Sequence, residues 1–432
     1  MSGKKEPIKV SLKVAIGLIL TLLILIALIS MYFLNMSNKP KAPETNNVTT
    51  NEVSNEKPEI DFNSEMLKLN NKKENMIFSP LSIKYALSML RDGANNQTRQ
   101  QMDDVLGANK LTKYENIEKV LSLANSVFVK DDLKNEIDEE YINTLKDNYD
   151  AEFRFDKFES AKNINDWIED KTFGIIKDII SDDAVKDSDL KLMIVNALAI
   201  DMQWAEEFEG KNTWGSDFHG IGENPLKVAM MSQTTSSNNI KYLVNDEITS
   251  VSMKLGIFGE EEKEMFDFVA IMPNETSLDK YIEGFSSDNF EKILDDLKPA
   301  SKAKNGINLS IPRFDYDYTI PLVENLQKLG VKDVFNPVMA DLSNIVEDKS
   351  LYVNDAIHKA DIEFTEKGTK AAAVTAFFVL DSMAIMDEEK PIEVKFNKPF
   401  MYVIRDIKTG EVWFMGTVYE PVLWVNVESD YR

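Results

Sequence analysis

Any chemistry in this chain must be done without a thiolate and with two imidazoles. Cysteine is absent, and the histidines are His219 and His358. That supply excludes disulfides, Cys-ligated zinc, thiolate nucleophiles, attachment through a lipobox cysteine and most histidine-built metal sites. A triad of one serine, His358 and an aspartate is conceivable from composition, but no G-x-S-x-G turn accompanies any serine to expose it as a nucleophile. No Walker loop, EF-hand spacing or dinucleotide fingerprint occurs, so no cofactor is implied. What remains is a stretch suited to being acted upon. From Glu366 the chain reads EKGTKAAAVTAFF, a run of small residues opened by a glycine, and then VLDSMAIMDEEKP, an irregular polar loop. Exposed loops of that composition are where proteases cut. Taken alone, AAAVTAFFV reads equally as a buried strand or the start of a helix.

The elements that must position this stretch belong to a globular body. Of 432 residues 43% are hydrophobic and 28% charged, ample for a core. The net charge of −24 argues against a nucleic-acid partner and for a self-repelling, soluble surface. Acidic runs such as EDKS, SDDAVKDSD and GEEEKE read as solvated faces.

The amino terminus reads as a membrane anchor. Val14 to Leu34 is twenty-one residues without a charge, matching the roughly 20 apolar residues that cross a bilayer and exceeding the roughly 7–15 of a cleavable signal core. Lys4, Lys5, Lys9 and Lys13 precede it with no basic cluster just after. The positive-inside rule then places residues 1–13 in the cytoplasm and everything beyond 34 outside. The alternative is a long cleaved signal, and either way the body is exported. Residues 35–61, rich in Asn, Thr, Pro, Lys, Ser and Glu, read as a flexible linker. The sequons at Asn47 and Asn274 read as chance occurrences.

From Phe62 no comparable linker, repeat or low-complexity run appears, which predicts one large domain. In FSPLSIKYALSMLRDGA, Ser79 is placed as an N-cap and Pro80 as the first helical residue, with Ile83, Leu87, Leu90 and Ala94 forming an apolar stripe. Strand-like runs come later, at 190–200, 266–273, 306–314, 391–406 and 410–421, several nearly all apolar, as strands inside a sheet are. Helices first and strands later predict an α+β fold around a substantial sheet.

These segments carry a resemblance. NMIFSPLSIKYALSMLRDGANNQTRQQM (75–102) is similar to the signature second helix of the serpin family, and VNALAIDMQWAEEFEGKNTWGSDFHG (195–220) to its central strand and the segment after it. VAMMSQT, DFVAIMPNE, ADLS at 340–343 and EVKFNKPFMYVIRDIKTGEVWFMGTVYEP (393–421) continue the match in order, over residues 62–421. Residues 422–432 extend beyond it without a functional assignment. The resemblance implies the serpin fold: helices packed around a large central sheet plus smaller sheets, with an exposed reactive-centre loop.

It also implies a function: inhibition of a serine endopeptidase by suicide-substrate trapping. The protease cuts the loop, is held as an acyl-enzyme, and is dragged along as the cut loop inserts into the main sheet as a new strand. The hinge would be Glu366, Gly368, Thr369, Ala371, Ala372 and Ala373. In the family's register Thr369, Ala371, Ala373 and Thr375 face inward, and Lys370 and Ala372 outward. Acidic residues are usual where Lys367 and Lys370 stand, which is a departure; Lys370, facing outward, would stay solvated after insertion. Counting from Gly368 gives Ser382–Met383 as the reactive bond. The loop is longer than in many members, so Met383–Ala384, Ala384–Ile385 and Met386–Asp387 stay open as alternatives. None has a basic residue before the bond, which points to an elastase- or subtilisin-like target. Ser79, Ser82, Asn196 and His358 match the polar cluster beneath the main sheet, and Trp204 the tryptophan where the loop first enters; Asp201-Met202 replaces the lysine-glycine pair usual before it. No basic helix for heparin-type activation is apparent. The implied protein is a monomeric, non-enzymatic protease inhibitor of bacterial, membrane-anchored type, displayed at the cell surface. The competing readings are a non-inhibitory serpin with a binding or structural role, and a secreted form.

The anchor makes a first prediction. In its native host the full-length chain should fractionate with membranes and be released by protease added outside; recovery of a soluble form beginning near residues 31–38 would identify a cleaved signal instead.

Overall fold

The computed structural model describes residues 61–107, 111–174, 176–186, 190–257, 263–347, 351–354, 356–369 and 390–425. The span 14–34, the linker up to residue 60, and the loop with Lys370, Ala371, Ala372, Ala373, Ser382, Met383, Ala384, Ile385, Met386 and Asp387 lie outside the described residues. Among the described residues no helix is long and apolar enough to cross a membrane.

Helix α1 (Phe62–Leu69) leads through strand β1 (Met76–Phe78) to helices α2 (Pro80–Gly93) and α3 (Asn96–Leu106). Strand β2 (Leu121–Lys130), helix α4 (Glu139–Tyr149), strand β3 (Glu152–Asp156) and helices α5 (Lys162–Lys171) and α6 (Asp182–Val185) come next. Strand β4 (Leu192–Ile200) continues almost directly into β5 (Met202–Trp204). A β-rich stretch succeeds it: β6 (Thr213–Phe218), β7 (Leu226–Thr235), β8 (Ile240–Val244), β9 (Ile248–Ile257) and β10 (Lys263–Pro273). Helices α7 (Leu278–Glu283) and α8 (Ser287–Asp296) separate it from β11 (Lys298–Pro299), β12 (Ile307–Pro312) and β13 (Phe314–Pro321). Helix α9 (Leu322–Leu329) precedes β14 (Ile357–Phe364), β15 (Gly368–Thr369), β16 (Ile392–Lys395), β17 (Phe400–Asp406) and β18 (Val412–Val418).

The strands form an α+β fold with three sheets. The largest runs β1-β18-β17-β10-β9-β5-β15-β14-β13, a second runs β16-β12-β7-β6, and a third β3-β2-β4. Aromatic packing ties the middle of the large sheet to its far strands. Phe314 and Phe364 stack with ring centroids 4.4 Å apart, and Phe268 and Tyr402 at 5.4 Å, all four fully buried.

The feature that matters for function is a seam. Strand β4 pairs only with β2, and β14 only with β13 and, at one residue, β15, so among the described residues no hydrogen-bonded register joins β4 to β14. Both line the same two cavities, with Leu198, Ala199 and Ile200 opposite Asp361, Ile362 and Glu363 at one end, and Leu192–Asn196 opposite Ala356, His358 and Lys359 at the other. The two strands therefore run side by side and parallel, with no ladder between them among the described residues.

Two expectations change here. Helices and strands interleave from the start, because LSLANSVFVK folds as β2, a strand buried along nearly its whole length. The runs 306–314 and 391–406 each split into strands of different sheets, at Arg313 and at Asn397–Pro399. Pro312 and Pro399 lack the N–H that would carry one ladder across the break.

Candidate functional site

Helix α2 begins where Ser79, in extended conformation, caps it: Ser79 Oγ accepts from Ser82 N–H at 3.0 Å and Pro80 supplies a first turn that needs no N–H there. The apolar stripe Ile83, Leu87 and Leu90 is buried, fixing the helix beneath the seam. Its first turn bonds to both sides of that seam. Ser79 N–H donates to Nε2 of His358 on β14 at 2.9 Å, while the Ser82 hydroxyl donates to Oδ1 of Asn196 on β4. Asn196 Nδ2 passes the chain on to Oδ1 of Asn125 in β2 at 2.6 Å, and Asn125 Nδ2 ends it on the Tyr149 carbonyl at 2.9 Å. Every link is a buried or half-buried polar group with a partner, which is what makes such a network hold one geometry.

His358 can serve only as a neutral ring. Its Nε2 accepts a backbone N–H, and a second proton there would set donor against donor. Burial pushes its pKa down to about 4. Beneath the Asn196–His358 level lies a cavity of about 270 Å³, lined by Ile83, Leu87, Leu90 and Phe335 as well as the two strands.

The other end of the seam holds residues Glu366 to Thr369. Gly368 and Thr369 form β15, antiparallel both to β5, with Gly368 opposite Gln203 and Thr369 opposite Met202, and to β14, with Thr369 opposite Phe364. Gly368 has φ +157°, and a Cβ there would lie 2.0 Å from the Met202 carbonyl oxygen, so only glycine fits. Trp204 N–H donates to the Lys367 carbonyl at 2.9 Å, Phe208 N–H to that of Glu366 at 2.8 Å, and the Trp204 indole to that of Thr365 at 2.8 Å. The Trp204 ring, 2% exposed, packs on Phe268 and Phe364. Thr369 is 2% exposed, lines a cavity of about 20 Å³ between β4 and β14, and its hydroxyl has no hydrogen-bond partner among the described residues.

A buried ion pair anchors this end. Glu366, 6% exposed, receives Arg313 Nε at 2.9 and 2.8 Å on its two oxygens, a further close contact from Nη2, and the Thr213 hydroxyl at 2.5 Å. Arg313 sits at the corner between β12 and β13, and Thr213 opens β6. Removing either charge would strand the other, at a cost of about 3–5 kcal/mol.

The structure thus gathers Ser79, Ser82, Asn196 and His358 at one level of the seam and Trp204, Glu366, Gly368 and Thr369 at its far end. Sequence reasoning missed Asn125, Arg313 and Thr213. Only Asn125 carried a signal, as a lone amide inside a small and apolar strand; Arg313 and Thr213 meet Glu366 across 53 and 153 residues of sequence. The Asn274 sequon is committed internally: its amide donates to the Asn245 carbonyl at 2.7 Å and accepts from Thr249.

A family model described as Serpin (serine protease inhibitor) matches residues 60–421. An uncharacterized serpin-like protein of Thermococcus kodakarensis is 29% identical over 367 residues, covering 80% of this chain and 81% of the relative. Plasminogen activator inhibitor 1 of Bos taurus is 29% identical over 372 residues, covering 81% of this chain and 88% of the relative. Among solved structures the thermophilic serpin tengpin in its native state superposes with a TM-score of 0.68 at 28% identity, covering 88% of this chain and 97% of that one.

The neutral His358 makes the second prediction. Above its unfolded pKa near 6.5 the ring is uncharged in both states and its contribution is intact; as pH falls towards about 4 the unfolded state takes the proton first and stability drains away. The stability difference between wild type and His358→Gln, from urea unfolding, should shrink by about 3 kcal/mol between neutral pH and pH 4. A difference independent of pH would contradict the neutral acceptor.

Proposed function

The chain belongs to the serpin family, and from that premise we propose that it traps a serine protease as a suicide substrate, by inserting its cut loop between β4 and β14. One observation carries this reading: β15 is already seated antiparallel to both sides at the head of a seam that no ladder closes among the described residues. Continuing its register sets Ala371 opposite Ile200 and Ile362, Ala373 opposite Leu198 and Ala360, and Thr375 opposite Asn196 and His358. Both edges give the same levels, and Asn196 and His358 do line one cavity. The strand partners at these levels are inward-facing, as Thr369 is, with Ile200, Ile362, Leu198 and Ala360 all buried. Small side chains suit the narrow head of the seam. The next inward residue, Phe377, reaches the level of Ile194 and Ala356, over the wider cavity.

The chemistry is the target's. Its serine oxygen attacks the Ser382 carbonyl carbon, the C–N bond to Met383 breaks, and the serine's proton passes through the target's histidine to the departing amine. Met383–Ala384, Ala384–Ile385 and Met386–Asp387 are the alternative bonds. The acyl ester then partitions between hydrolysis and insertion. Inserted residues gain ladders on two sides, each hydrogen bond contributing roughly 0.5–1.5 kcal/mol. Ser82 and Ser79 hold the two strands to α2 rather than to each other, so parting them breaks no ladder that the described residues form. An elastase- or subtilisin-like enzyme fits the loop. The bovine relative's name, plasminogen activator inhibitor 1, supports inhibition as the activity. The anchor at 14–34 would hold the inhibitor at a bacterial surface.

Incubation with a panel of such proteases should give a complex that survives SDS. Cleavage without a complex would favour a non-inhibitory role. The hinge residue sharpens the test: Thr369→Arg would bury an unpaired guanidinium, and a penalty of about 3 kcal/mol slows the first step of insertion roughly a hundredfold. The variant should be cut at the same bond and release active protease, whereas Lys370→Glu, at an outward position, should trap like wild type. Equal trapping by wild type and Thr369→Arg would refute insertion from this hinge.

A further inference from the structure

Residues past Pro421 fall beyond the family match, which ends at 421, yet Val422–Trp424 are built into the molecule. Ala229 N–H donates to the Val422 carbonyl, Val422 N–H to the Arg313 carbonyl, and Arg313 N–H to the Ala229 carbonyl, each at 2.9 Å. This three-membered backbone cycle fixes the main chain of the residue whose guanidinium holds Glu366. Leu423 bridges to Val228, and Trp424 N–H donates to the Lys227 carbonyl at 2.8 Å.

The same segment reaches the second ligand of Glu366. The Trp424 indole lies on Gly215 of β6 so closely that a Cβ there would sit 2.5 Å from Trp424 Cδ1. Gly215 is two residues after Thr213, and residues two apart on a strand share a face. Trp424 therefore rests on the face from which Thr213 donates to Glu366. Three residues thus touch both supports of the hinge anchor: the β12–β13 corner through the backbone, and β6 through a ring. Sheet-edge covering alone would explain the backbone bonds but not a tryptophan matched to a glycine beside Thr213.

We propose that Val422–Trp424 form a strap whose role is to position Arg313 and Thr213 on Glu366, and thereby to keep the first two residues of the inserting strand seated. Its consequence for trapping rests on the inhibitory reading above: a seated β15 is a ready nucleus, and loosening it would slow insertion and let more protease escape. These are positioning residues and touch no part of a substrate.

Hydrogen exchange on the intact protein tests the strap without any protease. The Trp204 and Phe208 amides donate to the carbonyls of Lys367 and Glu366, so they report hinge docking directly. Trp424→Ala should speed their exchange about tenfold, equivalent to roughly 1.4 kcal/mol. The paired amides Val269 and Val403 in β10 and β17 should not change. Trp424→Phe should restore most of the protection. In a Glu366→Gln background Trp424→Ala should add almost nothing, because the group it acts through is gone. Unchanged exchange at Trp204 and Phe208, an equal effect in the Glu366→Gln background, or acceleration that extends to Val269 and Val403 would each overturn the proposal. If exchange behaves as expected but no protease is trapped, the inhibitory reading fails and the strap stands; trapping with unaltered exchange fails the strap alone.

Discussion

Two hydrogen bonds from one helical turn hold the seam on which everything else depends. Ser79 N–H reaches His358 and the Ser82 hydroxyl reaches Asn196, so strands β14 and β4 are each fastened to α2. A backbone ladder between those strands would have to be broken, bond by bond, before another strand could enter. Side-chain fastening to a third element keeps the two edges level without a ladder directly between them among the described residues. The extension through Asn196 and Asn125 to the Tyr149 carbonyl carries the same constraint into β2 and α4. Because each member is buried or half-buried and has few alternative partners, the network specifies position more than it adds stability.

The far end of the seam uses a different kind of force. There Glu366 is paired with the Arg313 guanidinium and accepts from the Thr213 hydroxyl, while Trp204 covers the backbone of Thr365 to Lys367 and donates to it. Moving this carboxylate would break its pairing with Arg313 and its bond from Thr213, which holds the chain before Gly368 in place. Thr369 marks the boundary. Its hydroxyl is buried with no partner among the described residues, beside a cavity the size of a water molecule. A charge-anchored end and a polar cluster below it thus delimit the seam.

Much of this was legible in the sequence, for identifiable reasons. Ser79 and Pro80 announce a helix start by local chemistry, and the apolar stripe of α2 by its period. The α+β class comes from the apolar runs, and the hinge glycine is required by a backbone approach of 2.0 Å. The runs 306–314 and 391–406 look like single strands because apolar pattern alone does not report a change of sheet; the proline in each run is the available sign. Arg313 and Thr213 were invisible because an exposed-type arginine and a strand threonine acquire meaning only when folding brings them to Glu366. Nothing in VLWVNVESDYR distinguishes a strap from a loose end until Trp424 is found on Gly215.

The central claim is that the intact protein is held short of its most stable arrangement, with one strand still to be added between β4 and β14. Cleaving the loop within 377–386 with a protease that is not trapped, and comparing melting temperatures before and after, tests this most directly. Each residue that enters gains ladder bonds and buried contact on two sides, so the account predicts a rise of tens of degrees. An unchanged melting temperature after confirmed cleavage would contradict it.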